Sequence, residues 1–336
     1  MLSWSPTLRG RSLLTLLDVT HAEMLELIDL AIALKARRRN GIRGQLLFRR
    51  HIALVFEKSS TRTRTAASVA VLDEGGTAEY LSRNDIHLGA KESVADTARV
   101  LGRVFDGILF RGYEQKTVEG LARLAGVPVW NGLTDTFHPT QVLADLMTVK
   151  ECFGRLAGVK LAYVGDGRNN VANTLMLGCA KAGLHYVNCT PPELMPDPAL
   201  VATARDLARE TGGSVSVAND PLAGVRGANV IYTDVWVSMG EEAQKETRLR
   251  LLRPYQVNMD LCRATGNLGQ ELIFLHCLPA FHDHQTVMTR ECGALEVTDD
   301  VFESTFSRVF DESENRMHTI KALFVSALAD PVIGDR

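Results

Sequence analysis

Hydroxyl and guanidinium donors crowd into Ser59-Ser60-Thr61-Arg62-Thr63-Arg64, directly after the apolar run HIALVFE (51–57) and at the start of a helical pattern from about residue 62. A helix start presents free backbone N–H groups and the positive end of the helix dipole, so further donors placed there make an anion site. Ser60, Thr61 and Thr63 each add a hydroxyl, and Arg62 adds a planar fork that matches two phosphate oxygens. One Ser or Thr satisfies an ordinary N-cap, and this run supplies far more than that need. No G-x-x-x-x-G-K-[ST] pattern accompanies it, so the segment is not a Walker A loop.

Further candidates stand at other junctions between apolar runs and helical patterns. Arg111 follows GILF (107–110), where a cation at the carboxyl end of a buried parallel strand faces the ligand edge of an open α/β sheet. His138-Pro139-Thr140-Gln141 opens a helix with Pro139 at its first position. His138 reads either as a structural cap or as a neutral donor to a carbonyl oxygen that gains charge, with Gln141 able to accept from an amide. Arg316, in Glu314-Asn-Arg-Met-His-Thr319 at the opening of the last predicted helix, is either surface charge or another anion ligand.

In the second half, Gly165-Asp-Gly-Arg-Asn-Asn170 after KLAYV resembles the start of a dinucleotide fingerprint but has Asn170 where the third Gly would stand. The next strand pattern ends in Asn188-Cys189, without the acidic ribose ligand. Asn residues at this turn either hold a polar small molecule or simply accept turn dihedrals. Asp234-Val-Trp-Val-Ser-Met-Gly240 places a carboxylate at a strand end, suited to a substrate ammonium, although a plain β-to-α connection would look the same. His276-Cys277-Leu278-Pro279, followed by Phe281-His-Asp-His284, gathers ligand types for a metal (Cys277, His282, His284) or a thiol nucleophile with histidine beside it. The run is one loop with no second ligand pair at zinc spacing, so no metal is expected.

These residues converge only if their strands are parallel and share one edge. Apolar runs do alternate with helical patterns: HIALVFE, GILF and VPVW (127–130) in one half, then KLAYVGD (160–166), GLHYVNC (183–189), NVIYTDV (229–235), LIFLHC (272–277) and ALEVT (294–298) in the other. That rhythm predicts two α/β domains, each a doubly wound parallel sheet. A helix from Pro139 to about Phe153 would bridge them. The expected boundaries are 1–150, 151–313 and a C-terminal helix, 314–336, that returns to the first domain. Thr20-His-Ala-Glu23 reads as the capping box of an earlier helix, whose closing cations (Lys35 to Arg39) complement its dipole.

Composition limits the partners. The chain has 336 residues, 46% of them hydrophobic, enough for a sizeable core and for two domains. Its 37 Lys and Arg against 40 Asp and Glu leave a net charge of −3, so there is no global attraction to nucleic acid or an anionic membrane. No apolar stretch approaches the ~20 residues of a membrane span. Six scattered cysteines without a C-x-x-C pair suit reduced thiols in the cytoplasm.

Taken together, SSTRTR, FRGY, FHPTQ, DVWVSMG, HCLP and ENRMHTIKA resemble, in order, the motifs of the ornithine carbamoyltransferases, and the likeness runs from about Leu13 to Leu328. The SMG segment favours ornithine over the aspartate and putrescine branches. The resemblance implies a carbamoyl-phosphate domain followed by an ornithine domain, no cofactor, a homotrimer, and a place in arginine metabolism and amino-acid biosynthesis. By motif position it implies that Ser60, Thr61, Arg62, Thr63, Arg111 and Arg316 bind carbamoyl phosphate, with His138 and Gln141 on its carbamoyl group. It further implies Asn170, Asp234, Ser238 and Met239 as ornithine contacts, and Cys277 with the Leu278 backbone beside the reacting groups. His87 stands where some members have Gln, in a loop thought to reach a neighbouring subunit's site. The reaction expected is direct attack of the δ-amine on carbamoyl phosphate, with Arg62, Arg111, His138 and Cys277 as the catalytic set. Two other readings compete: a nicotinamide oxidoreductase centred on GDGRNN, against which the missing Gly and acid count, and a non-catalytic phosphate- or amino-acid-binding regulator.

Overall fold

Apolar runs that are buried on both faces build two all-parallel sheets in the computed structural model, which describes residues 2, 4–86, 91–237, 245–269 and 271–330. The first sheet contains β1 (His51–Phe56), β2 (Thr77–Ser82), β3 (Gly107–Arg111) and β4 (Val129–Leu133), in the order β2-β1-β3-β4. The second contains β5 (Lys160–Val164), β6 (His185–Cys189), β7 (Ser214–Ala218), β8 (Val230–Thr233) and β9 (Ile273–His276), in the order β7-β6-β5-β8-β9. The chain forms two compact units. One runs from the N-terminal segment to Met147 and resumes at Glu314; the other is Thr148–Ser313. The chain passes between them inside the helix Pro139–Phe153 and again inside the helix Val309–Leu328.

Three details depart from the sequence reading. ALEVT forms no strand and contributes only an isolated bridge, Val257 to Val297, its Leu295 and Val297 packing into apolar clusters and its Glu296 accepting from the Phe281 N–H. The VPVW strand begins two residues late, at Val129. The last helix starts at Val309, so Arg316 lies two turns inside it rather than at its opening. Two edge strands were not anticipated, because TAEYLS and SVSVA lack a continuous apolar run and are only partly buried.

The register explains how distant residues meet. Phe56 pairs with Arg111 across β1 and β3, and Thr233 pairs with His276 across β8 and β9. In the first sheet, β2 lies on one side of β1 while β3 and β4 lie on the other. In the second, β6 and β7 lie on one side of β5 while β8 and β9 lie on the other. The strand order therefore reverses at the β1/β3 and β5/β8 boundaries, the crevices where open α/β sheets place ligands.

Helices cover the sheets with the expected caps. Thr20 and Glu23 make both bonds of the capping box of His21–Arg39. The final helix packs on the first unit, with Phe324 tilted against Trp130 at 4.7 Å between ring centroids and Lys321 bonded to Asp73 at 2.9 Å. Among the described residues, no helix is long and apolar enough to cross a membrane.

Candidate active site

In the first unit the site begins where β1 ends. Ser60 caps the helix Thr61–Leu72, its hydroxyl accepting from the Thr63 N–H at 3.1 Å. Thr63 is fully buried, and its own hydroxyl accepts from Arg316 at 2.8 Å and from Arg111 at 3.4 Å. A helix start, a strand end and a helix more than two hundred residues away thus deliver donors to one point. The flanking cations go elsewhere: Lys58 bonds Asp135 and lies 4.3 Å from the Tyr113 ring centroid, and Arg64 stacks on Tyr80 at 3.8 Å. Thr61 is exposed. Gly112 lets the chain leave β3 here, since a Cβ would come within 2.1 Å of Glu57, whose carboxylate accepts from the Tyr113 N–H.

His138 is buried at the end of the β4 loop, before the helix Pro139–Phe153. Burial first, then the charges of Arg316, Arg111 and Arg62, hold its pKa well below 6.5. At neutral pH it is an uncharged imidazole in a positive field, and a bound dianion would relieve that field. The Gln141 amide donates through Nε2 to Asp145 at 2.8 Å, which orients its carbonyl oxygen as an acceptor.

In the second unit the ends of three neighbouring strands, β5, β8 and β9, meet. The Asp234 carboxylate is buried; Oδ1 accepts from the Cys277 thiol at 3.0 Å and from the Val235 N–H at 2.8 Å, and Oδ2 accepts from Asn169 at 3.2 Å. Burial raises its pKa, opposed by His276, the thiol and the Val235 N–H. A desolvated carboxylate of this kind gains most from a cationic guest, whose charge would favour ionisation. The thiol donates to the carboxylate and so is held as a hydrogen-bond group.

Leu278 takes a left-handed φ of 58° and is followed by a cis peptide bond to Pro279. Its N–H donates to His276 Nδ1 at 2.9 Å, while His276 Nε2 faces Glu296 at 3.3 Å and Glu296 accepts from the Phe281 N–H at 2.6 Å. A non-glycine residue in this region costs about 1–3 kcal/mol, and these buried bonds fix it there.

The GDGRNN turn is specialised in a way that disfavours a dinucleotide. Asn188, near the place of an acidic ribose ligand, donates to the Gly167 carbonyl at 2.9 Å, and the Gly167 N–H donates to Thr190 at 2.9 Å. A Cβ on Gly167 would lie 2.6 Å from Asn188 Oδ1. Asn169 caps the following helix and reaches both Tyr163 and Asp234, whereas Asn170 is the helix's first residue and half-buried.

Ser60, Thr63, Arg111, Arg316 and His138 are thus brought together in one unit, and Asp234, Cys277 and Leu278 in the other. His87, Ser238 and Met239 lie outside the described residues. Cys277, His282 and His284 do not assemble as ligands. Among the described residues, the clusters with metal-ligand spacing are Asp234–His276–Cys277 and His282–Asp283–Asp299. All six cysteines are free. Sequence reasoning missed Asn169 and Glu296, and read His276 as a neighbour of the thiol rather than as the acceptor of the Leu278 N–H. Asn169 was visible in the Asn pair, but Glu296 acts through a contact with His276 made 20 residues away, for which no local pattern exists.

Comparison with known proteins places the chain in a family. A family model described as the carbamoyl-P binding domain of aspartate/ornithine carbamoyltransferase matches residues 11–151, and the Asp/Orn binding domain matches residues 157–327. A protein of Bacillus licheniformis named ornithine carbamoyltransferase, catabolic, is 55% identical over 96% of this chain and 98% of its own. An ornithine carbamoyltransferase of Pseudothermotoga lettingae is 56% identical over the same shares. The solved structure of ornithine carbamoyltransferase from Pyrococcus furiosus superposes with a TM-score of 0.88 at 43% identity, covering 98% of this chain and 99% of that one. With both domains matched and the likeness spanning nearly the whole length, the chain belongs to the aspartate/ornithine carbamoyltransferase family.

Proposed function

We propose that this protein transfers the carbamoyl group of carbamoyl phosphate to the δ-amine of L-ornithine, giving L-citrulline and phosphate. The observation that carries the reading is the convergence of Arg111 and Arg316 on the Thr63 hydroxyl at a helix start, a dianion site separate from a buried carboxylate suited to an amine substrate. The family match to carbamoyl-P and Asp/Orn binding domains supports this division.

In this mechanism Ser60, Thr61, Arg62, Thr63, Arg111 and Arg316 hold the phosphate. His138 donates to the carbamoyl oxygen and Gln141 accepts from its NH2. Asp234 pairs with the α-ammonium of ornithine, and Asn170, Ser238 and Met239 complete the amino-acid site. Cys277 and the Leu278 backbone line the place of reaction, and His87 adds a phosphate donor. An alkyl ammonium has an ordinary pKa of about 10.4, so only about one molecule in 2,500 is neutral at pH 7. Desolvation and nearby positive charge favour the neutral, reactive form. The amine nitrogen bonds to the carbamoyl carbon as its bond to the phosphate oxygen breaks; phosphate leaves with the electron pair, and the amine proton passes to phosphate or solvent. Arg62, Arg111 and His138 stabilise charge as it develops on the oxygens. Holding both substrates in register draws on the ~7–11 kcal/mol that orientation can supply. Cys277 needs no covalent role, because the amine is itself a sufficient nucleophile.

A cytoplasmic homotrimer that works without a cofactor, within arginine metabolism, completes the reading. The test is citrulline formation with L-ornithine, set against L-aspartate and putrescine as acceptors. Rapid product with ornithine supports the assignment, and preference for either of the others refutes it.

A further inference from the structure

A buried ion pair stands beside the amine half-site, between the turn after β5 and the segment after β8. Arg248, in the helix Lys245–Leu252, is 2% exposed and Asp166, in the GDGRNN turn, is 3% exposed. The Arg248 guanidinium bonds Asp166 Oδ2, and its Nε donates to the Trp236 carbonyl at 2.7 Å. Asp166 Oδ1 in turn accepts from the Arg168 N–H at 3.1 Å, which sets the turn that presents Asn169. Trp236 lies two residues beyond Asp234 and is packed with Leu194, Leu252 and Leu295.

The turn after β5 and the segment after β8 are therefore joined twice. Asn169 donates directly to the Asp234 carboxylate, and the Asp166–Arg248–Trp236 chain ties the backbone on either side of that contact. Removing a partner from a fully buried pair leaves an uncompensated charge, so such pairs hold geometry even where they add little net stability. Arg is suited to this task because one planar fork serves a carboxylate and a carbonyl at once; Lys offers only a point charge.

We infer that Arg248 and Asp166 are positioning residues that set the Asn169–Asp234 geometry and thereby the affinity for the amino-acid substrate, without acting on carbamoyl phosphate. This rests on the functional reading above, which gives Asp234 to the amine substrate.

The experiment compares the unaltered enzyme with Arg248→Lys, Arg248→Met, Asp166→Asn and the Arg248→Met/Asp166→Asn double variant, varying L-ornithine and carbamoyl phosphate separately and recording thermal unfolding. Expected is a rise in KM for ornithine of at least about tenfold in Arg248→Met and Asp166→Asn. Partial rescue is expected in Arg248→Lys, and a double variant no worse than the poorer single one. KM for carbamoyl phosphate should stay within about twofold. If Arg248→Met does not fold, Arg248→Lys and Asp166→Asn carry the comparison. Equal changes in both KM values, or an unchanged KM for ornithine in a less stable protein, would overturn the inference while leaving the functional reading intact. An unaltered enzyme that forms no citrulline would overturn both.

Discussion

Replacing Arg316 with Met keeps most of the side-chain volume and removes one guanidinium from the phosphate half-site. In the folded protein that group donates to Thr63 at 2.8 Å and is the largest charge acting on His138. Hydrogen bonds to charged groups contribute about 1.5–3 kcal/mol, and truncating one member of a buried charge pair costs about 2–5 kcal/mol. Taking about 3 kcal/mol, binding of a phosphate dianion should weaken about 150-fold at 25 °C. Calorimetric titration with inorganic phosphate, at fixed ionic strength near 0.1 M so that screening is constant, measures this ratio directly. The same change removes one of three cations that depress His138. Its imidazole, followed by NMR, should therefore titrate at higher pH in the variant while staying below 6.5, because burial remains the first cause of the depression. A phosphate Kd within about threefold of the unaltered enzyme, or an unmoved His138 titration, would refute the placement of Arg316.

Other consequences follow from the same geometry. Asp234→Asn removes the buried counter-charge for an ammonium and should raise KM for ornithine by about 30-fold or more, with KM for carbamoyl phosphate little changed in steady-state assays. Cys277→Ser keeps a donor to Asp234, so turnover should persist, far short of the ~10⁶-fold loss caused by removing a covalent nucleophile; a carbamoyl adduct on Cys277 in mass spectra of the unaltered enzyme would contradict this. Burial and Lys321 push the His318 pKa down to about 4. Between that value and the ordinary 6.5 the unfolded chain binds the extra proton, so stability falls as pH drops through this window. The full difference is roughly 3 kcal/mol. In denaturant titrations at about pH 7.5 and about pH 5, His318→Gln should lose less stability than the unaltered protein, and equal losses would contradict the linkage.

Much of the site was legible because its chemistry is written in short motifs at strand ends. Once the sheets are parallel, SSTRTR, Arg111 and His138 must share an edge, and the observed register pairs Phe56 with Arg111 as that requires. Arg316 illustrates the limit: its residue type suited an anion, but only the final helix, packing back on the first unit, brings it to Thr63. The edge strands escaped because a half-exposed strand has no continuous apolar signature. ALEVT misled for the opposite reason, since Leu295 and Val297 are buried by packing in apolar clusters while the segment makes one isolated bridge rather than a ladder. Arg248 had no signal at all: among ordinary surface-type charges in KETRLRLL it is the one whose side chain is buried.

The most direct test of the account is to incubate the purified protein with carbamoyl phosphate and L-ornithine and to quantify citrulline and phosphate together. The two-site mechanism predicts one citrulline for each phosphate released above the non-enzymatic rate, with both products dependent on ornithine. Enzyme-dependent phosphate release without ornithine, or no citrulline with both substrates present, would contradict it.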